Sequence, residues 1–260
     1  MSDNTTALWF IFHDKKLLLV PEKKGIAALP HIHDKSRPDK RAVRVHELGY
    51  FENWPCFACV LEKIPDDLSS CIPVDLRASY EILDEALYLV AGRGSMLAHW
   101  NRFSQFCPAC GAETVPALPI SKKCPSCGHE IFPHIAVATI VLVRKQDSIL
   151  LIRAHSLRGS GHGLVAGFLE PGETLEECVA REVLEETGLF IGNIRYFASQ
   201  PWPYPSGLMV GFTADYVSGD IQIQAEELSS AAFYPREGLP SLPAKLSIAR
   251  RLVDDWLNAQ

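Results

Sequence analysis

The sequence predicts an α+β domain over residues 1–103, a four-cysteine ribbon over 104–133 and an α/β sandwich over 134–260. Three observations carry this division. The first stretch holds short apolar runs separated by turn residues, followed by helical apolar spacing. The middle holds two knuckles, Cys107-Pro-Ala-Cys110-Gly and Cys124-Pro-Ser-Cys127-Gly. The last stretch alternates strand-like runs with two helical segments, the pattern of a layered α/β domain.

In chain order, LWFIF and LLLV within residues 8–20 flank His13-Asp14-Lys15-Lys16, which reads as two strands and a turn. Further short strands are expected at 43–50 and 57–62. Leu76, Tyr80, Leu83, Leu87 and Val90 recur at helical spacing, predicting a helix over 75–92 capped by Asp75, with a second helical piece at 95–103. The N-terminal part holds no catalytic constellation of its own.

The chain has eight cysteines, and the N-terminal MSDNTTALWFIF lacks a basic segment and a long apolar run. A cytoplasmic location is therefore expected, where thiols stay reduced and metal binding is favoured over disulfides. Two CxxC knuckles, each followed by glycine, suit a closed tetrahedral structural zinc site made by Cys107, Cys110, Cys124 and Cys127. Cys56 and Cys59 form a further CxxC without a mate, inside a strand-like run, and read as buried thiols. Cys71 and Cys178 read as core or incidental residues, and the histidines, which show no ligand spacing, as mostly surface residues.

Beyond the ribbon, 135–143 (IAVATIVLV) and 149–152 read as buried strands joined by a charged turn. A glycine-rich loop at 159–163 precedes a helix that starts near Thr174 and stops at Gly188. Thr174 with Glu177 is a capping-box signature, and Gly188 suits a C-cap. Strands are expected near 194–198, 209–216 and 221–224, and a last helix at 245–258 bearing Ile248, Leu252, Val253 and Trp256.

The chemistry concentrates on the helix beginning near Thr174. Glu182, Glu185 and Glu186 lie at i, i+3 and i+4, so three carboxylates crowd one face, while Ala180, Val183, Leu184 and Thr187 can pack on the other. Two readings compete. One is a solvated acidic helix with Arg181 paired to Glu185; the other is a hard-cation site, because Mg²⁺ takes carboxylate, water and phosphate oxygens. A net charge of -6 and pI near 5.8 argue against a broad basic groove for nucleic acid. A ligand with few phosphates, neutralised by metal, fits that balance better.

The string GFLEPGETLEECVAREVLEETGL, residues 167–189, resembles the Nudix box, with Gly167, Glu173, Arg181, Glu182, Val183, Glu185, Glu186, Gly188 and Leu189 at the fixed positions. Downstream, Ser199-Gln200-Pro201-Trp202-Pro203-Tyr204-Pro205-Ser206 reads physically as a proline-stiffened loop, either packing or offering a stacking surface. It is similar to the SQPWPFPxS array of the NADH pyrophosphatase subfamily of Nudix hydrolases, which also carries a zinc ribbon and an extra N-terminal domain. Gly207 stands where the array's final serine falls, and Tyr204 replaces its phenylalanine.

The resemblance implies an α/β/α Nudix sandwich acting on NAD(H) to give nicotinamide mononucleotide and AMP, and on NAD caps at RNA 5′ ends. It implies about two or three catalytic Mg²⁺ or Mn²⁺ ions, bound by Glu182, Glu186, the Ala166 carbonyl and Glu227 in preference to Glu226. Glu185 is then a further ligand or orients water, and Arg181 ties the helix to its preceding loop. Phe132, Phe168 and Trp202 would enclose the nicotinamide, with Gln200, Pro201, Pro203, Tyr204, Pro205, Ser206 and Gly207 as array contacts and Arg77 and Ala249 nearby. A homodimer sharing the site between subunits is also implied. The rival activities are hydrolysis of ADP-ribose or a dinucleotide polyphosphate, and a non-catalytic binding role that the intact glutamate set disfavours.

Overall fold

Strand β1 (Thr6–His13) turns into β2 (Lys16–Pro21) through Asp14 and Lys15, whose φ values of 47° and 65° suit a two-residue turn of primed type. The structure is a computed structural model that describes residues 6–21, 27–33, 42–155 and 161–259. β3 (Ala27–Ala28), β4 (His31–His33), β5 (Ala42–Phe51), β6 (Trp54–Leu61) and β7 (Ile72–Asp75) complete the first sheet. Its order is β3-β2-β1-β6-β5, with β4 on β1 and β7 on β2. Trp9, Ile11, Leu18, Cys59, Leu61 and Cys71 share one buried cluster there. Cys56 and Cys59 are buried in β6 as expected, and burial pushes the Cys56 thiol up, away from reactivity.

The helix expected from Asp75 begins ten residues later, at Glu85. The Asp75 carboxylate instead accepts from the Arg77 N–H at 2.9 Å, closing a local turn, and a 3-10 turn occupies Ala78–Glu81. Leu76 and Leu83 are still buried, so separate turns satisfy the apolar spacing. The real helix is α1 (Glu85–Phe103), capped by Asp84, which accepts from the Ala86 N–H at 2.9 Å. It is continuous, so the piece expected at 95–103 is its second half. Gly94 does not break it, because a Cβ there would meet Ala58 at 2.9 Å; helix and sheet approach that closely. His46 is an exception to the mostly surface placement of the histidines: it is buried, and desolvation with Arg44 and Lys122 lowers its pKa to about 4.

The ribbon follows as β8 (Val115–Leu118), β9 (Ser121–Lys123) and β10 (Glu130–Ile131), in sheet order β10-β9-β8. Lys122 is buried and donates to the carbonyls of Asn101 and Ser104 at 3.1 and 3.2 Å, a cation on the C-terminal carbonyls of α1.

The C-terminal sheet contains β11 (Ala136–Lys145), β12 (Ser148–Ala154), β13 (Val165–Phe168), β14 (Phe190–Trp202), β15 (Gly207–Ser218) and β16 (Leu228–Pro235). The order is β14-β15-β11-β12-β16, with β13 on β11 and the β11–β15 pair parallel. Alternation along the central strands supplies two cores. Val141, Val143, Leu150 and Ile152 meet Val179 and Val183 of α2 (Leu175–Thr187). Ile140, Leu142, Ile149 and Leu151 meet Ile248, Leu252, Val253 and Trp256 of α3 (Ile248–Asn258). A sheet clamped between α2 and α3 is the expected α/β/α sandwich. Fully burying each such aliphatic side chain contributes about 1.5–3 kcal/mol.

Several strand assignments needed correction. The strand expected at 194–198 runs on to Trp202, so Ser199–Trp202 of the presumed loop is strand and only 203–206 turns into β15. Pro201 is tolerated because β14 lies at the sheet edge. Residues 221–224 form no strand; Gln222 and Gln224 donate their N–H groups to the Thr187 and Glu186 carbonyls at 2.8 and 3.0 Å, capping the end of α2. β16 lies further on. In α2, Leu184 is exposed, and Cys178 and Val179 are buried in its place. Residues 159 and 160 of the glycine-rich loop lie outside the described residues. By their contacts, residues 1–134 with 203–206 and residues 135–202 with 207–260 form two compact units. No helix among the described residues is long and apolar enough to cross a membrane.

Candidate active site

α2 enters from β13 through a turn whose parts Arg181 holds together. Its guanidinium reaches Glu173 at 2.5 and 3.0 Å, the Phe168 carbonyl at 3.0 Å, Glu182 at 2.8 Å and Glu185 at 3.0 Å. Arg181 holds the Glu173 carboxyl well down, at about 2. At the helix start, Thr174 and Glu177 form the expected reciprocal capping box, and Gly188 closes the end at φ 71°. The helix is thereby fixed at both ends and stapled to its entry loop.

That frame sets the carboxylates. Glu182 lies against Gly167 of β13, where a Cβ would fall 1.8 Å from its carboxyl carbon. Glu186 is 4% exposed, and its Oε2 has no hydrogen-bond partner among the described residues. Burial first, then the charges of Glu182, Glu227 and Glu185, push the Glu186 carboxyl up to about 8. Burial also raises Glu182, with Glu185 and Glu227 adding to the effect against Arg181. Glu227 therefore faces the cluster, and Glu226 is absent from the charges acting on it. Ala166 is paired with Ile140 of β11, one residue before Gly167.

A buried carboxylate oxygen without a donor, among like charges, costs several kcal/mol in an apolar protein and is relieved by a cation. An all-oxygen donor set of this kind fits a hard divalent cation. The glutamates stand wider than the cysteines, which form the tight ligand group found among the described residues.

In the ribbon, Sγ separations are 3.6 Å for Cys107–Cys127, 3.4 Å for Cys110–Cys124 and 3.6 Å for Cys110–Cys127. Tetrahedral zinc with bonds of roughly 2.3 Å would place its sulfurs roughly 3.8 Å apart. Gly111 and Gly128, at φ 77° and 78°, turn each knuckle so that their N–H groups bond the Cys107 and Cys124 carbonyls. The N–H groups of Cys127 and Ser126 lower Cys124 to about 6, which favours a thiolate ligand.

The array residues divide. The Gln200 amide is engaged with the start of α3, donating to the Leu246 carbonyl and accepting from the Ile248 N–H, each at 2.8 Å. It acts there as a clamp. Pro201 and Trp202 end β14, with Trp202 paired to Gly207. A Cβ at Gly207 would lie 3.2 Å from the Trp202 carbonyl, so the family serine would need its neighbours to shift slightly. Pro203 packs against Gly92, the Tyr204 ring lies under the Arg77 guanidinium at 4.4 Å, and Tyr204 bonds the Tyr88 hydroxyl. Pro205 is exposed, and Ser206 donates to the His134 carbonyl at 2.8 Å. Phe168, at the end of β13 beside the carboxylates, is 66% exposed, and Phe132 is exposed as well. Ala249 instead lies in the buried stripe of α3 against the sheet. Tyr88 and Asp84 escaped the sequence reading; the tyrosine replacing phenylalanine at 204 was the signal that a hydroxyl partner was needed.

Sheet, flanking helices and stapled carboxylate helix define a Nudix hydrolase domain, and the family model for the NUDIX domain matches residues 133–257. Models described as the NADH pyrophosphatase-like rudimentary NUDIX domain and the NADH pyrophosphatase zinc ribbon domain match residues 6–100 and 102–132. The chain is 39% identical over 248 residues to NAD-capped RNA hydrolase NudC of Shigella dysenteriae serotype 1 (strain Sd197), covering 95% of this chain and 91% of that protein. NAD-capped RNA hydrolase NudC of Escherichia coli O1:K1 / APEC is 38% identical over the same shares of the two chains. The chain belongs to the NADH pyrophosphatase family of zinc-ribbon Nudix hydrolases. Its cysteine quartet is the family's structural zinc ribbon, and its Nudix domain implies a divalent cation.

Proposed function

We propose that this enzyme hydrolyses the diphosphate of NAD(H) to nicotinamide mononucleotide and AMP, and removes NAD caps from RNA 5′ ends. The carrying observation is the buried Glu186 Oε2, without a hydrogen-bond partner among the described residues and set among the charges of Glu182, Glu227 and Glu185. The relatives named for NAD-capped RNA support the substrate, over nearly the whole chain.

Glu182, Glu186, Glu227 and the Ala166 carbonyl would hold Mg²⁺ or Mn²⁺. When bound, the cations supply charge neutralisation of the diphosphate and a water acidic enough to attack at neutral pH. Glu185, whose side chain is half exposed, orients that water or adds a ligand. Arg181 keeps the carboxylates in place and takes no part in the chemistry. Phe168 and Trp202 would offer flat apolar faces to the nicotinamide. In this reading the enzyme is a cytoplasmic homodimer, with residues 1–103, 104–133 and 134–260 as its three domains.

Gly207 favours one second reading, hydrolysis of another nucleoside diphosphate derivative such as ADP-ribose, because the array lacks its last hydroxyl. The deciding experiment offers NADH, NAD⁺, NAD-capped RNA and ADP-ribose in competition, with Mg²⁺ and with Mn²⁺. Preference for ADP-ribose under both metals would sink the NAD(H) assignment while leaving the hydrolase.

A further inference from the structure

The hairpin between β14 and β15 turns at Pro203–Ser206, directly after Trp202, and α1 grips that turn at two points. Pro203 lies against Gly92, where a Cβ would come within 3.1 Å of the proline ring, so the helix presents bare backbone to it. One turn earlier on α1, the Tyr88 hydroxyl is hydrogen-bonded to the Tyr204 hydroxyl. Tyr88 is 3% exposed and meets the edge of the Tyr80 ring at 5.4 Å, so its own position is set by packing. On Tyr204, the Arg77 guanidinium lies 4.4 Å from the ring centre. Burial pushes both phenols up, so each keeps its proton and can share a hydrogen bond at any working pH.

We propose that the Tyr88 hydroxyl is a positioning group for the reaction, fixing the turn Pro203–Ser206 through Tyr204 and thereby the ring of Trp202 beside it. The prolines on both sides of Trp202 and Tyr204 make the segment stiff, so a point held at 204 is transmitted along the chain with little slack. Packing of Pro203 on Gly92 sets the depth of the turn, and the hydroxyl pair sets its rotation about that contact. Tyr88 touches no reacting atom in this scheme. It acts by lowering the freedom that Trp202 would otherwise lose on binding substrate. The proposal rests on the reading of the array as part of the substrate site.

The test uses the full chain with Tyr88→Phe, Tyr204→Phe and the double substitution, each removing only an oxygen. A neutral hydrogen bond contributes on the order of 0.5–1.5 kcal/mol, so each single change should raise KM for NADH by about two- to tenfold, with a far smaller fall in kcat. A single change also leaves one hydroxyl without this bond and lowers Tm. The double substitution removes both hydroxyls, so Tm should recover toward wild type. KM should stay raised in the double variant, because the rotation of the turn about its Pro203–Gly92 contact is then no longer fixed by the hydroxyl pair. Unchanged KM in the single variants, or KM recovering together with Tm in the double, would overturn the proposal. A wild type that barely hydrolyses NADH strikes the NAD(H) reading instead, and the same series is then measured on the diphosphate it turns over best.

Discussion

A side chain at position 167 would begin 1.8 Å from the carboxyl carbon of Glu182, so Gly167 and Glu182 compete for one space. The conflict is with the far end of a flexible side chain and not with backbone. Gly167→Ala should therefore fold, moving the Glu182 carboxylate off its place. Turnover is expected to drop at least about tenfold, the scale at which a displaced catalytic group is felt, while Tm changes little. A folded variant that keeps full kcat would show that Glu182 does not need this seat.

Glu186 gives two linked expectations. Glu186→Gln keeps size and hydrogen bonding but removes charge, so kcat should fall by roughly a hundredfold or more with a modest change in KM. Without metal the wild type should also show a pH signature. The folded carboxyl titrates near 8 against an ordinary 4.5, so between these values the folded state holds more protons than the unfolded state. Stability of the metal-free protein must then fall as pH rises from about 4.5 through about 8. Added Mg²⁺ should restore it at the alkaline end. Thermal melts of wild type and Glu186→Gln across this window, with and without Mg²⁺, separate the cases; identical curves would exclude a buried, cation-seeking Glu186.

The ribbon is tested by metal content. The four knuckle sulfurs lie together, so purified protein should hold about one zinc per chain. Cys107→Ser should lose that zinc and melt lower. Cys56→Ser, in the interior of β6, should keep it. Equal zinc in wild type and Cys107→Ser would refute the ribbon site.

The legibility of this chain followed how local each determinant is. α2 could be read almost to the residue, because Thr174, Glu177 and Gly188 cap it from within a few positions. The cysteine knuckles and the box glutamates were legible for the same reason. α1 was misplaced because its apolar spacing continues backward through Leu83 and Leu76, which are buried from separate turns. What distinguishes Asp84 from Asp75 as a cap is where the chain turns next, a tertiary matter. Residues 221–224 look like a strand, yet their N–H groups answer the open carbonyls of α2, a partner distant in sequence. β16 was hidden for the opposite reason, since most of its side chains are only partly buried. At the site, the clamp of Gln200 on α3 and the Tyr88–Tyr204 pair connect residues 48 and 116 positions apart, beyond any local pattern.

Trp202 carries the substrate assignment furthest. It ends β14, is paired with Gly207 and is followed by the turn held on α1, so its backbone has a defined place between the array prolines. Removing the ring should cost on the order of 1–3 kcal/mol of stacking, by analogy with bases on aromatic side chains. That loss should appear in kcat/KM for NADH and for NAD-capped RNA, since both present the nicotinamide. ADP-ribose keeps the diphosphate and lacks the ring, so Trp202→Ala should leave it nearly unaffected. Uniform loss on all three substrates would mean that Trp202 only packs the hairpin, and the nicotinamide would have to be placed against Phe132 or Phe168 instead. A loss confined to the two nicotinamide substrates would set that ring beside Trp202. Gly207, with no side chain to lend, would then be a change the site tolerates, because the backbone pairing of Gly207 with Trp202 needs no hydroxyl.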